Sequence, residues 1–371
     1  MDTDTLIIGG GIVGLGIGWK LAQRGQAVTI LERGQAGREA SWAAAGLLAP
    51  ATEVHYQEDR NLKLGLESMR LYPEFVAELE AYAGTGVDYR TEGAIAVAAT
   101  ADDAADLQAL FEYQLELGLP VRKLSGEEAR EMEPALSGYI TAGVFCPMDH
   151  HIDNRLLVDA LKVAYLKAGG TLLENTEVQR VVIDGATYRG VEAGGQMFGS
   201  RQLLIAAGSW SGLLPGLPDF IRPPVRPVKG QLFSVRSPGP EFLTHFIRSP
   251  RLYIAPKSDG RIVMGATVEE MGFNRDLTAG ALYSLLKEAW DHLPGVYELA
   301  ILETWCGFRP GSRDNSPLLG ESAIPGVFLA TGHYRNGILF APVTAHYMSQ
   351  LLLDGENPAL LQQFSPRRFA A

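Results

Sequence analysis

Cysteine is nearly missing from this chain of 371 residues. Cys146 and Cys306 are the only two, which excludes a disulfide framework and leaves no CxxC metal site. No apolar run approaches the roughly 20 residues that span a bilayer. Basic residues fall short of acidic ones, 32 against 43, and the resulting formal charge of −11 argues against an extended nucleic-acid footprint. Internal repeats and low-complexity stretches are lacking too. What remains is a globular composition, 46% apolar with a mean hydropathy of +0.02. It is long enough for two cores, or for one domain with a large insert. An apolar run begins as early as Leu6, which predicts no removable signal peptide and a cytoplasmic location. An oligomer of enzyme-sized subunits is expected, with no subunit number fixed.

Residues 5–32 read TLIIGGGIVGLGIGWKLAQRGQAVTILE. The apolar run at 6–8 suits a buried parallel strand, Gly9-Gly10-Gly11 breaks it, and helical spacing follows through Ile12, Leu15, Trp19 and Leu21. A second apolar run, 28–31, ends on Glu32. Strand, glycine-rich turn, helix, strand and acid form the order of a dinucleotide-binding unit. Gly9 permits the tight turn, Gly11 lets the backbone approach a pyrophosphate, and Gly14 lets helix and strand pack closely. The helix start presents unpaired N–H groups and a partial positive charge to phosphates. Glu32, 18 residues after Gly14, can accept hydrogen bonds from ribose hydroxyls and disfavours a 2′-phosphate, hence NADP.

Further along, small residues crowd together at 43–46, either as a tight turn or as a wall against something flat. Residues 51–63 are polar and aperiodic and read as a surface loop or lid. Helical spacing over 64–82 is interrupted by Pro73, which predicts a break between two helices. Strands are expected at 93–99 and 139–146, a helix at 102–117, and a capped helix start at Ser125. Asp149, His150, His151 and Asp153 invite a metal reading. Adjacent histidines on an extended chain face opposite ways, however, and Asp153 is better placed as an N-cap, so no metal is assigned. Short strands at 171–173, 177–183, 190–193 and 202–205 suggest a meander. The last of them ends in Ala206-Ala207-Gly208-Ser209-Trp210, small residues where α/β sheets place ligands. Five prolines in 215–227 mark a crossing between domains. Antiparallel strands at 231–235, 252–255 and 261–265, a helix at 278–293 and a strand at 298–308 follow, the last delivering Arg309. A strand at 327–330, a glycine-rich loop at 332–337 and a helix at 338–353 repeat the opening order, so the C-terminus is expected to complete the first domain.

That second loop, Thr331-Gly332-His333-Tyr334-Arg335-Asn336-Gly337, precedes a helix whose free N–H groups could bind an electron-rich carbonyl edge. Four stretches, IIGGGIVG with Glu32, REASWAAAGLLAP, WCGFRPGSRDNSPLLG and TGHYRNGILFAP, together resemble the glycine oxidases of thiazole formation, within the D-amino-acid oxidase group of flavoproteins. Arg226 to Gly230, Tyr253 to Pro256 and Val263 to Thr267 add to the likeness, which covers nearly the whole chain in the family's order. The fold this resemblance implies is α/β: an FAD-binding Rossmann-like domain (1–88, 145–222 and 306–371) interleaved with an α+β substrate domain on a mostly antiparallel sheet (89–144 and 223–305). By the same resemblance Ile12, Val13, Glu32, Arg33, Ala40, Ser41, Ala45, Gly46 and Leu47 line FAD. Val178 meets the adenine through its backbone, and His333, Tyr334, Arg335, Asn336, Gly337, Ile338 and Leu339 cradle the isoalloxazine. Arg309 matches the arginine that pairs with the substrate carboxylate, Arg335 lies close by, and Tyr253 reaches the same pocket.

The implied reaction is oxidative deamination of glycine, also of sarcosine and small D-amino acids, by hydride transfer from the neutral amine form to flavin N5. Molecular oxygen takes the electrons and yields hydrogen peroxide, and the imine or glyoxylate feeds thiazole synthesis for thiamine. The residue types suit this chemistry, since a guanidinium forks onto a carboxylate and fixes position and orientation together. A cysteine near Cys306 carries the flavin covalently in related sarcosine oxidases; here FAD is expected to be non-covalent. No nucleic acid and no membrane are expected as partners, and the resemblance implies a homotetramer. Alternatives are a D-amino-acid dehydrogenase passing electrons to a quinone, a sarcosine oxidase-like enzyme, the oxidase module of a tRNA-modification enzyme, and a dinucleotide sensor without chemistry.

Overall fold

The strand Thr3–Ile8 lies in the middle of a six-stranded sheet and is buried at its C-terminal half, which is why it reads as an unbroken apolar run. In this computed structural model, which describes residues 3–56 and 58–369, it pairs in parallel with Val28–Leu31 and with Ser200–Ile205. Thr171–Leu173 extends one side. Val327–Thr331 extends the other in parallel, followed by the antiparallel edge strand Leu318–Glu321. The C-terminal strand therefore joins the first sheet, and the helix that follows it packs into the same core. Helices Ile12–Gln23, Asn154–Lys167 and Ala341–Asp354 contribute to one apolar core that includes Trp19, Tyr72, Tyr165 and Phe340.

A second sheet has eight strands in the order Ile301–Gly311, Arg226–Arg236, Arg261–Gly265, Tyr253–Pro256, Phe246–Arg248, Ala94–Ala98, Ala142–Cys146 and Arg122–Ser125. All neighbours are antiparallel except Phe246–Arg248 and Ala94–Ala98. Helix Ala279–His292 packs Leu285 and Ala289 into the core on one face of this sheet. The opposite face, around Leu232, Tyr253 and Trp305, meets Ala43 and Ala45 from the first unit. Two strands, Ala142–Cys146 and Ile301–Gly311, run through the expected boundaries at 145 and 306.

Three local expectations are corrected. The meander holds only for Val178–Asp184, Thr187–Ala193 and Gln196–Phe198, since the strands before and after them join the parallel sheet; short apolar strands carry no mark of direction. The polar stretch 51–63 is not all loop, because Ala51 and Thr52 are buried and a helix begins at Asp59. Pro73 does not break that helix, which runs unbroken over Asp59–Ala83. Proline removes one N–H, but Pro73 lies on the exposed side, where water can satisfy the freed carbonyl, while Tyr72, Phe75, Val76 and Leu79 stay buried.

The continuous helix predicts that Pro73→Ala raises the melting temperature, by roughly 2–4 °C for each kcal/mol recovered. Calorimetry of wild type and variant checks this. A lowered melting temperature would mean that the two halves pack as separate helices.

Candidate active site

The opening turn is built by the absence of side chains. Gly9 has φ +109°, and a Cβ there would lie 2.5 Å from the Ala206 carbonyl oxygen. A Cβ on Gly14 would come within 2.0 Å of the Gly9 oxygen, so strand and helix meet only because both lack one. A Cβ on Gly11 would meet nothing nearer than Ser41 Oγ at 3.3 Å, and Gly11 borders open space. Glu32 is aimed by backbone, its two oxygens accepting from the amides of Gly10 (2.8 Å) and Gly34 (2.9 Å). Each oxygen keeps a lone pair for another donor. Arg33 pairs with Glu39 at 3.0 Å and stacks on the Trp210 ring at 3.7 Å.

Beside this turn the small residues at 43–46, with Ser41 and Trp42 before them, form a wall whose carbonyls are held from three directions. Asn154 Nδ2 donates to the oxygens of Ser41 (2.8 Å) and Trp42 (3.0 Å), and Trp305 Nε1 to that of Ala43 (3.0 Å). Lys257 Nζ, fully inside the protein, donates to Ala45 (2.8 Å) and Ile152 (2.7 Å). Gly46 has φ +77°, and its Cβ would fall 1.9 Å from the Ile152 oxygen. Burial pulls the Lys257 ammonium down to about 8, against the pull of Asp153 and Asp88.

The floor is one face of the eight-stranded sheet. Register places Arg248 opposite Tyr253, Tyr253 opposite Gly265, Gly265 opposite Leu232, and Leu232 opposite Trp305, so these project on the same side. Arg309 shares that side two pairs away, beyond Gly307 and Gly230. Its guanidinium lies flat over Gly230, where a Cβ would sit 2.5 Å from Nη1. Nη1 donates to the oxygens of Thr267 (3.0 Å) and Lys229 (3.4 Å), the Tyr253 hydroxyl lies beside the fork, and among the described residues no carboxylate pairs with it. Burial pushes the Tyr253 hydroxyl up to about 12, against the charge of Arg309, so it remains a donor at neutral pH.

The second loop closes the same space. His333 is buried and kept neutral, held down to about 3 by desolvation, and shares a hydrogen bond with Thr344 Oγ1 at 3.2 Å. The Tyr72 and Ser68 hydroxyls of the long helix donate to the oxygens of Ile338 (2.6 Å) and Leu339 (2.5 Å). That turns the carbonyls toward the helix. Among the described residues the amides of Gly337, Ile338 and Leu339 have no protein acceptor. Buried amides need one, so this edge suits an electron-rich rim.

One cavity of ≈ 780 Å³ connects these parts. Gly9, Gly11, Ile12, Val13, Glu32, Arg33, Ala40, Ser41, Ala45, Gly46, Leu47, Val178, Gly208, Tyr253, Arg309, His333, Tyr334, Arg335, Gly337 and Ile338 all line it. Three expected residues stand behind the lining. Gly14 packs on Gly9, the Leu339 side chain belongs to the apolar core, and Asn336 bonds through its backbone to His333 and Phe340. Cys306 lies between Trp305 and Gly307 and so faces away, its Sγ donating to the Arg275 oxygen at 3.4 Å. Glu53, Trp210, Gly230, Arg248 and Ala266 line the cavity without having been expected there. Gly230, Ala266 and Trp210 had a sequence signal, each lying inside a noted motif.

Lys257 yields a pH prediction. Its folded pKa of about 8 lies below the unfolded value of about 10.4, so the unfolded chain binds more protons between them and stability rises with pH over that window. Relative to Lys257→Met, wild type is expected to gain about 3 kcal/mol between pH 8 and 10.5, read by denaturant unfolding. Parallel curves for the two proteins would refute it.

Residues 4–351 match the DAO family of FAD dependent oxidoreductases. The chain is 35% identical to a glycine oxidase of Geobacillus kaustophilus over 98% of this chain and 97% of that protein. It is equally 35% identical to a bifunctional protein ThiO/ThiG of Synechocystis sp., over 99% of this chain but 54% of that longer protein. The crystal structure of glycine oxidase from Geobacillus kaustophilus matches the fold with a TM-score of 0.93 at 34% identity, covering 100% of both chains. A phosphate-binding turn, an aimed acid and an amide-lined rim around one cavity are thus the parts of a flavin enzyme, and the chain belongs to the FAD dependent oxidoreductase family.

Proposed function

We propose that the chain oxidises glycine, and less readily sarcosine and small D-amino acids, with oxygen as the final acceptor. The balanced reaction is glycine, water and oxygen to glyoxylate, ammonia and hydrogen peroxide. The observation that carries this reading is Arg309, fixed over Gly230 by backbone carbonyls with no carboxylate paired to its fork among the described residues. When bound, FAD supplies the two-electron redox chemistry. Residues of the opening turn, with Glu32, Ser41 and Val178, would hold its nucleotide end, and the amides of Gly337 to Leu339 its ring. The wall of 43–46 leaves room for a flat group and excludes water from it.

Arg309 binds the substrate carboxylate by two charge-assisted hydrogen bonds, and Tyr253 donates a third. Arg335, whose Nη2 lies 3.6 Å from Glu58, adds positive charge near the same group. Pinning the carboxylate would fix the position of the α-carbon in the cavity, and such positioning can remove several kcal/mol of barrier where FAD supplies the redox chemistry. The division into 1–88, 145–222 and 306–371 for the cofactor and 89–144 and 223–305 for the substrate belongs to this reading. So do a homotetramer, a cytoplasmic location without nucleic-acid or membrane partners, and an imine product consumed in thiazole formation. The outward Cys306 and the free cavity rim support non-covalent FAD.

Arg309→Ala should lower kcat/KM for glycine at least a hundredfold, about 3 kcal/mol, while absorbance near 450 nm shows FAD still bound. Peroxide formation on the purified protein reads the first quantity. Unchanged turnover would favour a sensor, and amine oxidation without peroxide a dehydrogenase.

A further inference from the structure

The binding reading above uses Arg309, Tyr253 and Arg335; of the other arginines that line the cavity, Arg33, Arg38 and Arg251 hydrogen-bond to carboxylates of Glu39, Asp159 and Glu288, and Arg248 does not. Arg248 ends the strand Phe246–Arg248 directly opposite Tyr253, so both side chains project onto the cavity side of the sheet. Its Nη1 donates to the oxygens of Ser249 (2.6 Å) and Leu252 (3.3 Å), which fixes the plane of the guanidinium. The opposite edge, Nε and Nη2, makes no hydrogen bond among the described residues, and Nε is buried without a partner. The nearest carboxylate, Glu53 Oε1, stops 3.7 Å from Nε, too far for a hydrogen bond.

Glu53 is not placed to close that gap by a shift of its backbone. It follows a turn pinned by the buried Asp149, which accepts from the amides of Ala51 (2.9 Å) and Thr52 (2.7 Å) and from the Thr52 hydroxyl (2.7 Å). A counter-charge serving only Glu53 would be expected to hydrogen-bond it, because a buried donor left unmade is costly. Between Arg248 and Arg309 the floor carries Tyr253 and Leu232, with the bare Gly265 between them and Gly230 beyond, and all of these but Gly265 line the same cavity.

Resting on the amino-acid oxidase reading, we propose that Arg248 is a specificity residue that receives a second carboxylate, so the substrates include amino acids bearing two. The second carboxylate is carried either on the nitrogen substituent or on the side chain. In the first case iminodiacetate, water and oxygen give glyoxylate, glycine and hydrogen peroxide. In the second, D-aspartate, water and oxygen give oxaloacetate, ammonia and hydrogen peroxide. In both, one C–N bond is cleaved, the substrate loses two electrons and two protons, and oxygen gains them.

The test compares glycine, iminodiacetate and D-aspartate in a peroxide assay on the FAD-loaded enzyme. Wild type is set against Arg248→Met/Glu53→Gln, a double variant that removes both charges together and strands neither. The ratio of kcat/KM for a dicarboxylate to that for glycine is expected to fall roughly ten- to a hundredfold in the variant. Which dicarboxylate responds tells where the second group sits. Succinate, which cannot be oxidised at a C–N bond, should raise the melting temperature of wild type and not of the variant. Glycine oxidation with both dicarboxylates neither turned over nor competitive overturns the proposal, as does an equal loss on all three substrates. A wild type inert on glycine whose succinate shift is still lost in the variant overturns the glycine reading and leaves the Arg248 site standing.

Discussion

The molecule depends on places where two backbones meet with no Cβ between them. Gly14 on Gly9, Gly9 on Ala206, and Gly46 on Ile152 are approaches that even alanine would hold apart. A fourth contact joins the wall to the eight-stranded sheet, since a Cβ on Gly307 would lie 2.4 Å from the Ala43 Cβ. These contacts bring the opening turn, the wall and one face of the eight-stranded sheet to a common cavity. Interiors are packed too tightly to absorb a displaced strand locally, so a shift at any of them would move the others. The wall is the joint in this sense. Its carbonyls are taken by a helix residue (Asn154), a strand residue (Trp305) and a turn residue (Lys257), and cannot follow one without leaving the rest.

Much of this was legible in the sequence, for identifiable reasons. The opening unit combines a change of hydrophobic period with glycines at the spacing its turn demands, and the C-terminal strand, loop and helix repeat the pattern. Residues whose burial is decided by distant chain were not legible. Lys257 sits in a KSDG turn and reads as solvated, yet two carbonyls from elsewhere enclose it. In the strand Arg226–Arg236, Lys229 and Gln231 alternate with Val228, Gly230 and Leu232, which reads as one wet face and one dry. Both faces are buried, because residues 267–278 cover the polar one: Gln231 bonds to Thr267, Glu269 and Thr278, and Lys229 to the Asp276 oxygen. Pro73 misled for the converse reason, since proline breaks a helix only where its lost hydrogen bond cannot be made up by water.

The substrate end shows how a site keeps charge available. Arg309 and Arg248 are each fastened by Nη1 to two backbone carbonyls, and those oxygens orient the guanidinium without neutralising it. No carboxylate pairs with Arg309 among the described residues, and those nearest Arg248 and Arg335 stand at 3.7 and 3.6 Å. A direct carboxylate bond would have oriented each group equally well, but an incoming anion would then have to displace it. With dipoles as the fasteners, the loss of rotamer freedom and most of the desolvation occur on folding, before any substrate arrives. The cavity walls lower the local dielectric, so a guanidinium there attracts a carboxylate more strongly than it would at the surface. Preorganisation of this kind costs the fold stability.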